Sequence, residues 1–201
     1  MHGLRRFPFL APAGLTLVVC CLLATAAAAE TGRWAPVAGK SHVAFDARFS
    51  LGDFTGTGER LAGAFSLDPE DLRQPVSGSL QIEVSGLATG IGGRDRDLRK
   101  VLDAEQFPRM EFTVEGIEPS FPSITEKGDV LLTIRGRLRI RAVERPLVML
   151  ARARLRDGAV WVRGDAALKM TDFGITPPTR MFLKVADKVT VRFDLVLTPE
   201  K

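Results

Sequence analysis

The sequence predicts an all-β fold of eight antiparallel strands, and three observations carry this prediction. Apolar and polar residues alternate along much of the chain after residue 40, which is typical of strands with one buried and one wet face, and such strands favour antiparallel pairing. The dipeptide Asp157-Gly158 fits a two-residue hairpin turn, in which both central residues have positive φ. Only two Cys and two His occur in 201 residues, which excludes a disulfide scaffold and a four-ligand zinc site.

The first 29 residues have the composition of a secretory signal peptide. Arg5 and Arg6 precede the apolar run Phe7–Leu23, and four alanines precede Glu30. We therefore expect cleavage after Ala29 and an exported protein, with a retained membrane anchor or a lipidated N-terminus as the alternatives. Both cysteines lie in this segment, and residues 30–201 carry 26 basic against 24 acidic residues.

The predicted domain covers residues 30–201 and consists of strands with an apolar inner face. These strands are 41–49, 61–67, 80–85, 110–115, 132–141, 147–156, 159–170 and 189–197. Residues 93–103 have apolar side chains at helical spacing, which predicts a short amphipathic helix on the barrel or capping one end of it. Residues 172–186 contain Pro177-Pro178 and are predicted to form a long loop.

The predicted hairpin at Asp157-Gly158 has a register that can be checked on both faces. Every inner pair is small or apolar: Leu155 with Val160, Ala153 with Val162 and Ala151 with Gly164. On the other face, Arg154 meets Trp161 and Arg152 meets Arg163. Like charges directly opposed are unfavourable, so we expect that face to be exposed to water or to an anion.

The inner faces of the predicted strands are the candidate ligand site. Eight strands closed into a barrel enclose an interior that side chains just fill or that holds one small ligand. Small residues on one wall and phenylalanines on the others suggest an apolar cavity, and a solid core is the alternative. The candidate lining residues are Val43, Phe45, Phe65, Phe112, Val114, Ile134, Leu138, Ala151, Ala153, Val162, Gly164, Ala166, Val191 and Phe193.

Side chains that perform catalysis are scarce after residue 29. His42 is the single histidine there and lies on the polar face of a predicted strand, with no Gly-x-Ser-x-Gly turn to accompany it. We predict no catalytic residue, no metal and no cofactor, and we expect binding rather than catalysis. An enzyme acting on a lipid or quinone-like molecule is the alternative, and it would need titratable groups inside the barrel.

Arginines dominate the outer face of two adjacent predicted strands. They are Arg135, Arg137, Arg139, Arg141, Arg152, Arg154 and Arg156. Such a face attracts anionic lipid headgroups, which makes an anionic membrane surface a candidate partner through Arg135, Arg137, Arg139, Arg152 and Arg154. The sequence favours instead a solvated face balanced by acids on neighbouring strands, because residues 30–201 carry a net charge of only +2. Nucleic acid is not an expected partner of an exported protein, and the sequence leaves the oligomeric state open.

An ordered set of short motifs between residues 33 and 198 resembles the YceI family of exported bacterial proteins. The motifs are Trp34 with Ser41-His42-Val43-Ala44-Phe45, Gly63-Ala64-Phe65, Thr89-Gly90 with Arg94-Asp95 and Leu98, Phe107-Pro108-Arg109-Met110-Glu111-Phe112, Gly136-Arg137-Leu138-Arg139-Ile140 leading to Pro146, Asp172-Phe173-Gly174-Ile175 and Asp187-Lys188-Val189. The chain departs from the family pattern in the short glycine-rich stretch between Phe49 and Gly63, and at Ala142, where a glycine is expected.

The resemblance implies an eight-stranded, lipocalin-like antiparallel barrel in the periplasm, with a helical cap near one end. It also implies a long apolar ligand, such as a polyisoprenoid or a fatty-acid-like lipid, held for transport, storage or sequestration. Arg94 and Asp95 then become candidates for orienting the polar head of that ligand. The alternative is that these two residues pair with each other or cap the helix.

Overall fold

The computed structural model describes residues 32–50, 52–180 and 183–200, and the predicted signal peptide, residues 1–29, lies outside the described residues. Strands make up most of the described chain, and one α-helix and two short 3-10 turns (Val84–Gly86 and Met170–Phe173) lie between them. The elements are β1 (Gly32–Pro36), β2 (His42–Phe49), β3 (Gly52–Gly58), β4 (Leu61–Leu67), β5 (Ser77–Glu83), β6 (Leu87–Ala88), α1 (Gly92–Val101), β7 (Arg109–Pro119), β8 (Val130–Ile140), β9 (Val143–Arg156), β10 (Ala159–Lys169), β11 (Thr179–Arg180) and β12 (Leu183–Pro199).

Eight of these strands close into an antiparallel ring. Its order is β1-β4-β5-β7-β8-β9-β10-β12, and β1 pairs back onto β12. The predicted eight-stranded antiparallel barrel with one short helix is therefore confirmed. At one end, β2, β3 and β6 extend the wall beyond β12. The helix α1 begins four residues after β6 and packs Leu98 and Val101 against the core.

The hairpin between β9 and β10 has the predicted turn and register. Asp157 and Gly158 have φ of 51° and 72°, as a type I′ turn requires. The strand pairs are the predicted ones: Leu155 with Val160, Ala153 with Val162, Ala151 with Gly164, Arg154 with Trp161 and Arg152 with Arg163.

Three parts of the wall differ from the sequence-based expectation. The pattern did not predict β1, which closes the ring between β4 and β12, whereas the predicted strand 41–49 (β2) pairs with β12 and β3 beside the ring. The pattern did not predict β3, because glycines occupy the positions where an alternating strand carries large apolar side chains. The predicted loop 172–186 contains a two-residue strand and the beginning of β12. A shift of register between Val185 and Val189 interrupts the alternation in β12, as β-bulges do, so the periodicity appears only after the bulge.

Phenylalanine rings lie over glycines of neighbouring strands at three places in the wall. The pairs are Phe45 with Gly56, Phe112 with Gly136 and Phe193 with Gly164. A Cβ added at Gly164 would lie 2.7 Å from Cζ of Phe193, and one at Gly136 would lie 2.5 Å from Cζ of Phe112. Each ring fills the volume that the absent side chain leaves, so these small wall residues do not by themselves create a cavity.

Two loops close the barrel at the end opposite α1. They are residues 68–76 and 120–129, and they are tied to each other by backbone hydrogen bonds. Leu72 N donates to the carbonyl oxygen of Pro122, and Ile124 N donates to that of Pro69, each at 2.7 Å. Leu72 and Ile124 are also buried, so the residues that join the two loops also cover this end of the lumen with apolar side chains.

Candidate ligand-binding cavity

The barrel interior contains two adjoining cavities, with volumes of about 140 Å³ and about 420 Å³. Val191 of β12 lies on the walls of both. The smaller, inner cavity lies toward the closed end, where Leu72 and Ile124 line it. The larger, outer cavity lies against α1. The interior is therefore open, and the alternative of a solid core is not what the structure shows.

Most of the predicted lining residues lie on the wall of the inner cavity. They are Val43, Phe65, Phe112, Val114, Ile134, Leu138, Val162, Ala166, Val191 and Phe193. Phe45 lies on the wall of the outer cavity. Ala151, Ala153 and Gly164 line neither: Phe193 covers Gly164, which is paired with Ala151, and Ala153 is buried. Contact of any of these residues with a ligand stays a prediction.

The outer cavity reaches the surface beside α1, and we call this opening the mouth. Ile91, directly before α1, is on the cavity wall and 53% exposed. From inside, Leu98 and Val101 of the helix and Leu102, which follows it, form one side of the cavity. The amphipathic pattern of residues 93–103 therefore has its apolar face toward the lumen, so a ligand there would contact the helix directly.

Several residues of the outer cavity were not predicted as lining. Phe173 and Ile175 are 3% and 4% exposed and line it from the segment that was predicted to be a loop. Two apolar residues flanking Gly174, whose φ is 68°, are a signal for a tight turn that is anchored in the core. Phe54 also lines the cavity and lies in the glycine-rich strand that showed no alternation.

Arg94 lies at the rim of the outer cavity. Its Cζ is 4.2 Å from the centroid of the Phe54 ring, within the range of a cation–π contact. Phe54 in turn meets Phe45 edge-on, with ring centroids 6.4 Å apart. This stacking holds a positive charge at the mouth, which is where the polar end of a ligand would lie if its tail filled the lumen.

Asp95 binds the protein backbone rather than facing the cavity. Its Oδ1 accepts hydrogen bonds from Thr89 N, at 2.7 Å, and from Thr89 Oγ1, at 2.6 Å. These bonds hold the pKa of Asp95 below its ordinary value, with smaller contributions from the charges of Arg99 and Arg94. Asp95 therefore fastens the first turn of α1 to the strand end before it, and its role toward a ligand head stays a prediction.

A second aspartate makes the same arrangement across the mouth. Asp187 Oδ1 accepts from Thr171 N at 2.9 Å, and Asp187 Oδ2 accepts from Thr171 Oγ1 at 2.7 Å. The hydrogen bonds from Thr171 again lower the pKa of the aspartate. We call Asp95–Thr89 and Asp187–Thr171 the Asp–Thr clamps; they fix two of the segments that frame the mouth.

Both clamps are expected to release in acid. A carboxylate whose pKa is lowered by folding stabilises the fold fully above its ordinary pKa of 3.8, and that contribution is lost as the pH falls through the lower, folded value. The amide proton shifts of Thr89 and Thr171, followed by NMR, should therefore titrate with midpoints below 3.8.

The matched control for this titration is Asp95→Asn. It should abolish the transition at Thr89 and leave that at Thr171 intact. Midpoints at or above 3.8 in the wild-type protein would contradict the assigned hydrogen bonds.

The outer arginines are largely paired with acids. The ion pairs are Arg135–Glu118, Arg137–Glu144, Arg139–Glu111 (2.6 Å), Arg154–Asp129 (2.8 Å) and Arg156–Asp157 (3.6 Å). Exposed pairs of this kind contribute little to stability, but they cancel most of the positive potential of the face. The arrangement favours a solvated, balanced surface, and contact of this face with an anionic membrane stays a prediction.

Within the ranges that the structure describes, no group of three or more His, Cys, Asp or Glu is placed to hold a metal ion. Among the same residues, no helix combines the length and the apolar character needed to cross a membrane.

Fold and cavity together define a lipocalin-like β-barrel with an apolar lumen that is closed at one end. The chain belongs to the YceI family, because the YceI-like domain matches residues 34–197, nearly all of the described barrel. No curated protein matches the sequence.

Solved structures share this fold at low sequence identity. BcnA of Burkholderia cenocepacia is 18% identical with a TM-score of 0.68, covering 80% of this chain and 98% of its own. A polyisoprenoid-binding domain from Saccharophagus degradans, implicated in plant cell wall breakdown, is 16% identical with a TM-score of 0.65, covering 83% and 98%. The YCEI protein of Campylobacter jejuni is 18% identical with a TM-score of 0.57, covering 73% and 84%.

Proposed function

We propose that this protein binds a long isoprenoid lipid inside its barrel and carries, stores or sequesters it in the periplasm. The observation that carries the proposal is the pair of adjoining apolar cavities along the barrel axis. Burial of an apolar chain in a preformed cavity supplies about 25 cal/mol per Å² removed from water. The shared fold with a polyisoprenoid-binding domain supports the same ligand class.

The length of the lumen favours a polyisoprenoid over an ordinary fatty acid. Val185 of β12 lines the outer cavity, and Leu197, twelve residues further along the strand, lines the inner one. At about 3.3 Å per residue and a strand tilt of about 40°, these residues lie roughly 30 Å apart along the barrel axis. This is about the full hydrocarbon thickness of a bilayer, whereas an acyl chain of one leaflet spans about half of it.

The composition of the walls favours binding over catalysis. Every described residue that lines the inner cavity is apolar, so a reacting group there would meet no acid, base or nucleophile among them. In the outer cavity the charged lining residues are Arg94 and Asp97, both on α1 at the mouth. His42 lies exposed on the outer wall. An enzyme acting on a lipid or quinone-like molecule would have to do its chemistry at the mouth alone.

The ligand class is tested by titrating the protein with isoprenoid alcohols of increasing length and with fatty acids, and by native mass spectrometry of protein isolated from its own host. We expect a co-purifying lipid, and an affinity for isoprenoids that rises with chain length until the lumen is filled. The absence of a bound lipid, together with no saturable binding of any isoprenoid, would refute the proposal.

Periplasmic location is part of the proposal and has a separate test. The mass of the protein recovered from the periplasmic fraction should correspond to residues 30–201, the product of cleavage after Ala29. Recovery of the uncleaved chain with the cytoplasmic membrane would instead support a retained anchor.

A further inference from the structure

The geometry points to a docking surface: the mouth, with α1 at its centre, sits on an anionic bilayer, so that the ligand passes end-on between membrane and lumen. This inference rests on the proposed function, because it assumes a lipid ligand, but it concerns a different surface and a different partner. Three features of the described residues support it: an exposed apolar tip, a concentration of positive charge, and the continuity of both with the lumen.

The apolar tip is Ile91. It is 53% exposed, although it precedes a helix whose other apolar side chains face inward, and it stands between Gly90 and Gly92. A Cβ at either glycine would meet nothing within 4 Å, so the tip projects into open space. Because Ile91 also lines the outer cavity, it links the protein surface with the lumen by an apolar path.

Positive charge is concentrated on α1. The helix carries the basic residues Arg94, Arg96, Arg99 and Lys100 and the acids Asp95 and Asp97. Its excess of two positive charges equals that of the whole of residues 30–201. Arg96 and Lys100 are exposed and four residues apart, so they share one face of the helix.

Further arginines frame the mouth on the opposite side. Arg141 donates to the carbonyl oxygen of Gly174 at 3.4 Å, and Arg145 donates to that of Asp172 at 3.0 Å. These acceptors are neutral backbone groups, so they orient the two side chains without cancelling their charge. Positive charge on α1 and on the opposite side of the mouth, together with an exposed apolar tip, is complementary to a bilayer surface that contains anionic lipid.

Other surfaces of the barrel are weaker candidates for this partner. Most of the outer arginines are paired with acids, as described above. Leu131, Val148 and Leu150 are exposed on the outer faces of β8 and β9, and a bilayer at that site would leave the mouth facing water. A protein partner or a second copy at these leucines is a different proposal, and the experiment below separates it from docking at the mouth.

The test is co-sedimentation of the protein with lipid vesicles. Each variant is purified after export, and its mass is measured to confirm that all variants have the same N-terminus. The probes are vesicles of phosphatidylcholine with and without phosphatidylglycerol, free of isoprenoid, at low and high salt. We expect binding that requires phosphatidylglycerol and falls with salt. Arg96→Gln with Lys100→Gln should weaken it by about fivefold for each charge removed, and Ile91→Ser should weaken it by about fivefold or more.

Matched control variants test whether the membrane contact lies at the mouth or on the outer face. Arg135→Gln with Arg139→Gln removes two charges from the outer face, and Leu150→Ser removes an exposed apolar side chain there; neither should change vesicle binding. In vesicle-free titration, the Arg96→Gln, Lys100→Gln variant should bind isoprenoid as the wild type does. Loss of vesicle binding in the outer-face variants, or no dependence on phosphatidylglycerol, overturns docking at the mouth while leaving the proposed lipid ligand untouched.

Discussion

Replacing Ala166 by phenylalanine is expected to lower the affinity for a long isoprenoid by about two orders of magnitude. Ala166 is buried on β10 and lines the inner cavity, whose volume of about 140 Å³ a benzyl side chain would largely occupy. If about four carbon groups of the ligand lose their burial at about 0.8 kcal/mol each, the loss is about 3 kcal/mol, which corresponds to about a hundredfold or slightly more.

The neighbouring position supplies the control for this prediction. Ala167 lies on the same strand with its side chain exposed on the outer face, so Ala167→Phe adds the same ring outside the lumen and should bind as the wild type does. Isothermal titration with long and short isoprenoids measures the effect. Short chains that fit in the outer cavity should bind Ala166→Phe nearly normally, because that cavity is left open. Unchanged affinity of a folded Ala166→Phe variant for the long chain would place the ligand elsewhere.

Gly136→Ala is expected to destabilise the barrel by about 3 kcal/mol, the upper part of the range for overpacked cores. The added Cβ would collide with the carbonyl oxygen of Thr113 on β7 and lie 2.5 Å from Cζ of Phe112. Neither neighbour can yield easily: the carbonyl belongs to the backbone of the barrel wall, and the Phe112 ring is buried. Urea unfolding measures the change as a lower midpoint at nearly constant slope.

Gly128→Ala is the matched control for the stability prediction. Gly128 lies in one of the loops of the closed end, and a Cβ there would meet nothing within 4 Å. Its substitution should change the free energy of unfolding by no more than about 0.5 kcal/mol. If Gly136→Ala were equally mild, the ring of Phe112 would not need the space above that glycine.

The barrel itself could be predicted because its central strands obey simple alternation. From Arg135 to Arg163 most outward positions are polar or charged and most inward positions are apolar, so one turn at Asp157-Gly158 sets the register of the whole hairpin. Val148 and Leu150 are large apolar exceptions on the outer face. The walls near the mouth could not be predicted in the same way. In β3 glycines replace apolar residues: the ring of Phe45 occupies the space at Gly56, and the side chains of Leu87 and Val43 crowd Gly58.

The sequence predicted the kind of site, an apolar cavity inside the barrel, but only some of the residues that line it. Inward-facing residues of regular strands line the cavities where periodicity placed them, with the exception of Ala151, Ala153 and Gly164. Their small size suggested open space, but the position of Phe193 across the strand pair depends on three-dimensional packing, which one strand's pattern does not contain. The contributions of Phe173 and Ile175 come from a segment without periodicity, anchored by a single turn.

The loops joined through Leu72 and Ile124 cover the end of the barrel opposite α1, so among the described residues the lumen opens at the mouth. On the proposed function, a lipid would enter the mouth tail first and leave head first, so its polar end would not cross the apolar interior. Dissociation requires the whole tail to leave the lumen, so each additional buried carbon lowers the dissociation rate constant. The association rate constant at the mouth changes little. For the proposed lipid ligand, residence time is therefore expected to increase with chain length, so short chains should dissociate soon after binding and long chains should remain bound.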